Sequence, residues 1–326
     1  MAQAVAGGVP SRHARLFSRR ECPAAAEVLP GGAPCEHQPV MGHLILQVSP
    51  LTALLGSFVL SFSFVGSLYL WKLAGYKDEC RDDTGTIQRR FLSALLSCVC
   101  SALVLQALSQ RVEDSSGLTL LELLCLRSDK LVSSCACCLA LTAVLFLGPL
   151  VQHLTAVQLG MADLASLPGG PWIALRNYVL APFTEEFVFR ACLLRLWHAA
   201  SFPKGAIIFC SPFCFAMAHA HHFIEHVRRY RDKQTALMQV AFQVFYTSLF
   251  GMYSNFLLLR TGSLVAVILA HSFCNHQGFP DLAFLVSPGH SLYQHRGWLG
   301  GLYVVGMIGF CYLLLPATAG FAHAFA

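Results

Sequence analysis

Five stretches of this chain, residues 48–71, 91–110, 131–151, 237–259 and 297–321, contain no Asp, Glu, Lys or Arg. Each reaches or exceeds the roughly 20 residues that a helix needs to cross a hydrocarbon core. Backbone in lipid must satisfy its polar groups internally, so runs of this length point to membrane helices and not to a soluble interior. Composition agrees, with 56% hydrophobic and 12% charged residues over a length of 326 that would otherwise permit two soluble domains.

Three further segments, at about 172–197, 205–222 and 263–279, are shorter or more polar. They carry every polar constellation of interest, as helices do whose charges face a protein interior. The expected fold is therefore all-α: a polytopic integral membrane protein with about eight transmembrane helices around a polar intramembrane cavity. Residues 41–326 form the membrane domain, and its catalytic half is about 172–280. Residues 1–40, rich in Ala, Gly, Pro and Arg with no apolar run, read as a disordered tail. Arg12, Arg15, Arg19 and Arg20 ahead of the first span favour a cytoplasmic N-terminus.

The net charge of +5 is modest, and its densest cluster is Arg228, Arg229, Arg231 and Lys233. Lipid headgroups suit such a cluster. The aromatic residues lie mainly inside the spans, which excludes the interleaved basic and aromatic surface of a nucleic-acid binder. The 14 cysteines are scattered, most of them in apolar runs where they act as small hydrophobes. Cys135-x-x-Cys138 lacks a second ligand pair and opens a span, so it reads as packing.

Chemistry begins in Ala181-Pro-Phe-Thr-Glu-Glu-Phe-Val-Phe-Arg190. Glu186 and Arg190 are four apart with the acid first, the better orientation for an ion pair on one helix. Glu185 is turned about 100 degrees away and has no such partner, so it remains available to hold a water or a proton. Pro182 would place both acids near a helix N-terminal end. The plain alternative is a structural ion pair with one boundary glutamate.

Phe215-x-x-x-His219 and His271-x-x-x-Asn275 repeat the helical spacing within apolar runs. His271 and Asn275 suit the stabilisation of an oxyanion, although both residue types also bond helices together. His219, His221, His222 and His226 fall within eight positions. His222-Phe-Ile-Glu225-His226 fits the H-x-x-E-H order of a zinc peptidase but abuts a solvated basic stretch. No Gly-x-Ser-x-Gly elbow occurs, and Thr184, Ser272 and Cys274 have no activating base at helical spacing. Water activated by a carboxylate is the mechanism that survives. A zinc-dependent membrane protease, a proton-coupled transporter and a non-catalytic scaffold stay open on the residues alone.

Taken together, Glu185-Glu186-x-x-x-Arg190, Phe215-x-x-x-His219 and His271-x-x-x-Asn275 resemble the motifs of the type II CAAX prenyl proteases, the Ras-converting endopeptidases. Val-Gly-Ser-Leu-Tyr-Leu-Trp-Lys72, Leu-Phe-Leu-Gly-Pro-Leu150 and Arg-Thr-Gly-Ser-Leu264 extend the likeness to the eukaryotic endoplasmic-reticulum members, over roughly residues 50–280. The resemblance implies an intramembrane glutamate protease that removes the last three residues of farnesylated or geranylgeranylated CAAX proteins, such as Ras-type small GTPases. It further implies no cofactor and no metal, a multi-pass place in the endoplasmic reticulum, and a site accessible from the cytosol. By position, Glu185 would be the base, His219 its proton-transfer partner, and His271 with Asn275 the oxyanion stabilisers. Glu186 and Arg190 would hold the first helix, with Phe215 in support.

Overall fold

The structure is a computed structural model that describes residues 43–76, 81–112, 117–161, 169–219, 223, 227, 232–321 and 325. The tail at 1–40, the basic cluster at 228–231 and the residues His221, His222, Glu225 and His226 lie outside the described residues.

A short strand β1 (His43–Leu46) precedes helix α1 (Pro50–Ser67), and β2 (Ser109–Val112) follows helix α2 (Thr84–Leu108). The strands pair antiparallel, His43 opposite Val112 and Leu46 opposite Ser109. The fold is otherwise mostly helical, as expected, and this ribbon adds to it; four-residue strands are too short to leave a periodic trace beside a membrane run. It also ties the start of α1 to the end of α2. Asp83 caps α2 by accepting the Thr86 N–H at 2.8 Å, and that bond holds its carboxyl below the usual range.

Both helices bury small polar residues and turn large apolar ones outward. Ser57 and Ser61 of α1 and Ser93, Ser97 and Ser101 of α2 are buried, whereas Leu55, Phe58, Val59 and Phe62 are exposed. The Ser57, Ser61 and Ser101 hydroxyls each donate to the carbonyl four residues back at 2.7 Å, so they can be buried without loss of a partner. That pattern belongs to lipid-facing helices, which pack through small residues.

Helices α3 (Leu131–Leu145) and α4 (Leu147–Gln158) meet at a 72° bend. A straight continuation would drive the ring of Pro149 into the Leu145 carbonyl. Next comes one helical rod: α5 (Pro171–Leu175), a π turn π1 (Arg176–Leu180), α6 (Ala181–Glu186), a longer π segment π2 (Phe187–Leu194) and α7 (Arg195–Ala199). The junction residues all keep right-handed helical backbone. Glu185 and Glu186 therefore sit mid-rod, which corrects the expected helix N-terminal end. The wide turn before Pro182 absorbs its missing N–H and bulky ring.

Helices α8 (Lys204–Phe209) and α9 (Pro212–Ala218) lead to α10 (Lys233–Thr261) and α11 (Leu264–Gln277). Gly262 closes α10 with φ 64°, a left-handed conformation that suits glycine, and Ser263 at once caps α11. The last long helix is α12 (Arg296–Ala317). Every residue of π2 is buried, and α1, α2, α10 and α11 pack around it. Asn255 of α10 donates to Ile207 O and Ser211 Oγ, each at 2.8 Å, fixing α8 and α9.

By length and composition three helices among the described residues can cross a membrane, or four if the bent α3–α4 pair is one span. That falls short of the expected eight or so, because the rod is internally divided, α8 and α9 are short, and α10 carries Gln239, Gln243 and Asn255.

Candidate active site

Glu185 and Glu186 leave the rod in different directions. Glu186 is fully buried, with Oε2 3.1 Å from Nε of Arg190 one turn further on. No Arg190 N–H aligns on that oxygen as a hydrogen bond, so the contact is chiefly Coulombic. The guanidinium lies 4.4 Å from the centre of the Phe215 ring and 5.7 Å from that of Phe250. Ring faces thus stand where water would otherwise solvate the cation. A buried pair of this kind tolerates loss of neither partner.

His271 of α11 reaches back to the rod. Its Nδ1 is 2.6 Å from Glu186 Oε1; an ionised carboxylate only accepts, so Nδ1 carries a proton. Nε2 faces Glu185 Oε2 at 3.9 Å, beyond hydrogen-bond length. The imidazole packs on Phe250 with ring centres 4.5 Å apart. His219 terminates α9 and points Nδ1 at Phe215 O, 2.9 Å away. A carbonyl likewise accepts only, so in the neutral ring Nε2 is the basic nitrogen. Phe215 therefore serves twice, with its carbonyl on His219 and its ring on Arg190. Asn275 donates through Nδ2 to Asn177 O at 3.0 Å, which joins α11 to π1.

Glu185, His219, His271 and Asn275 all line one cavity of about 400 Å³. Phe215 contributes to its wall, while Glu186 and Arg190 stand behind it. Four residues from three distant segments are thus brought together, and the ion pair supports them from the rear. Thr184 also faces the cavity, but its hydroxyl donates to Leu180 O at 2.8 Å. Ser272 likewise donates to Ile268 O at 2.9 Å.

Sequence reasoning passed over Asn177, which fixes Asn275, and Phe250, which backs His271. Asn177 had a usable signal in being one of the few polar residues of an apolar segment; Phe250 had none among so many aromatics. The arginines Arg81, Arg90 and Arg176 line the cavity too. No group of three or more His, Cys, Asp or Glu able to hold a metal occurs among the described residues.

Residues 167–276 match the family model described as type II CAAX prenyl endopeptidase Rce1-like. Over 270 residues, 79% of either chain, the sequence is 38% identical to CAAX prenyl protease 2 of Homo sapiens. The chain belongs to this family of prenyl endopeptidases. CAAX prenyl protease 2 of Rattus norvegicus is 34% identical over 80% of this chain and 78% of its own. That of Arabidopsis thaliana is 31% identical over 71% and 78%. No solved structure matches. The endopeptidase family model spans all three polar constellations, from Glu185 to Asn275.

Proposed function

We propose that this endopeptidase hydrolyses the peptide bond after the prenylated cysteine of CAAX proteins, Ras-type small GTPases among them, with Glu185 as the base. The observation that carries the reading is the shared cavity: one carboxylate, two imidazoles and an amide face a single space of about 400 Å³.

Glu185 takes a proton from a water held between its carboxylate and the imidazoles. The resulting hydroxide attacks the carbonyl carbon of the prenyl-cysteine, and the carbonyl oxygen becomes an oxyanion. Asn275, fixed by Asn177, and His271 donate to it. To donate at Nε2, His271 must carry both ring protons, and Glu186 at 2.6 Å and Glu185 at 3.9 Å are placed to balance that charge. Through His219 Nε2 a proton reaches the leaving nitrogen, the C–N bond breaks, and a tripeptide departs from a prenyl-cysteine carboxylate. Donors fixed before the reaction are worth about 2.7–4 kcal/mol each in other hydrolases.

A prenyl chain partitions into lipid and delivers the adjoining peptide to the membrane boundary. Phe64, Val65, Leu68 and Phe91 line the cavity with apolar surface suited to that neighbourhood. With such substrates, the proposed place of the enzyme is the endoplasmic-reticulum membrane, with its site open to the cytosol. The cavity reaches the surface beside exposed Arg81, at the far end of α1 from His43. If α1 crosses once, a site open to the cytosol puts residue 43 on the opposite side, against the cytoplasmic N-terminus that the early arginines favour. Mass spectrometry of a farnesylated CAAX peptide incubated with purified protein tests the reaction. Release of the intact C-terminal tripeptide supports it, and cleavage elsewhere or none overturns it.

A further inference from the structure

Helices α10 and α11 run back on each other from the turn at Gly262 and Ser263, and their ring contacts fix the register between them. Phe250 meets His271 with ring centres 4.5 Å apart. Phe242, two turns earlier on α10, meets Phe279 at 4.9 Å just past the end of α11. Midway between these contacts lie Tyr246 on one side and Asn275 on the other. Tyr246 is thereby placed opposite Asn275, with its ring held edge-on by Phe279 at 6.1 Å, and both residues line the cavity of Glu185.

The Tyr246 hydroxyl is uncommitted. Of the hydroxyls on the described lining residues, that of Thr184 donates to Leu180 O at 2.8 Å and that of Thr247 to Gln243 O at 2.7 Å. Tyr246 has no hydrogen-bond partner among the described residues, so its proton finds an acceptor when a substrate enters.

The proposed reaction is short of donors. Asn275 has one Nδ2 proton committed to Asn177 O, and His271 donates at Nε2 only as an imidazolium. A phenol carries its proton at neutral pH and donates it without first being charged. A hydrogen bond from it to Glu185 would weaken the base, and one to the lone pair of the water would weaken the nucleophile. A bond to the carbonyl oxygen instead strengthens as negative charge builds there. We infer that Tyr246 is a further oxyanion donor, a catalytic residue supplied by α10 beside the pair supplied by α11. This rests on the endopeptidase reading above and deepens it. The proton stays on the phenol oxygen throughout, so the bonds made and broken are those already described.

The test is Tyr246→Phe, which keeps the ring and its contact with Phe279 and removes only the hydroxyl. Turnover of a farnesylated CAAX peptide should show kcat lower by about 10²-fold with KM nearly unchanged. Affinity for a farnesylated peptide with a phosphinate at the scissile bond, a tetrahedral anion, should fall by a similar factor. Affinity for the uncleaved peptide, compared between Glu185→Gln and Glu185→Gln/Tyr246→Phe, should not change. A merely structural tyrosine would lower both affinities alike, and that result overturns the inference. So does a kcat within a few-fold of wild type, or a rise in KM alone. The ratio of the two affinities is internal to each protein, so it decides even if Tyr246→Phe is less stable than wild type. Failure of the endopeptidase reading shows differently, as a wild-type protein that releases no tripeptide.

Discussion

Glu186 Oε1 stands 2.6 Å from His271 Nδ1, a contact between residues 85 positions apart in the chain. It joins the rod to α11 and makes Glu186 a shared support, with Arg190 on one oxygen and His271 on the other.

Removing that support should harm both fold and chemistry. Glu186→Gln leaves Arg190 as an uncompensated buried charge, and breaking such pairs costs about 3–5 kcal/mol. Thermal unfolding in detergent should show a large drop for Glu186→Gln and a partial recovery in Glu186→Gln/Arg190→Met. Neither protein should regain activity, because His271 has lost the carboxylate that balances its charge. An unfolding temperature for Glu186→Gln equal to wild type would contradict the shared support.

The two oxyanion donors should act on turnover more than on affinity. His271→Ala and Asn275→Ala are each expected to lower kcat by about 10²–10³-fold with KM nearly unchanged. Steady-state kinetics on a farnesylated peptide checks this, and a rise in KM alone would assign these residues to substrate binding.

Gly251 marks a close approach of helices behind the site. A Cβ there would come within 2.7 Å of Pro212 Cβ and 3.4 Å of Arg190 Nη2. Gly251→Ala should therefore displace α9, and Phe215 and His219 with it, at about 1–3 kcal/mol. The measured signs are a lower unfolding temperature and reduced kcat. Gly66 meets nothing on adding a Cβ, so Gly66→Ala serves as the neutral control.

The membrane helices were legible where lipid imposes length: the charge-free runs at 48–71, 91–110 and 297–321 contain α1 and most of α2 and α12. Their inward faces were not, because buried serines and exposed leucines and phenylalanines leave little contrast for a hydropathy period to register. The run at 131–151 looked continuous since a bend at Pro149 requires no charge. Within the candidate site, spacing of four marked the Glu186–Arg190 pair, which depends only on local helix geometry. It could not show which glutamate meets His271, since that depends on how α11 docks on a rod whose π turns shift the angular phase of every later residue. Asn275 illustrates the same limit: its helical face was readable, its partner Asn177 was not.

The most direct measurement is the turnover of a farnesylated CAAX peptide by purified Glu185→Gln, which keeps the shape of the side chain and removes its basicity. A base positioned for general catalysis contributes about 10²–10⁴-fold. The account predicts a fall in kcat of that size in a protein that still unfolds at the wild-type temperature and still binds the peptide. Turnover within a few-fold of wild type would contradict it.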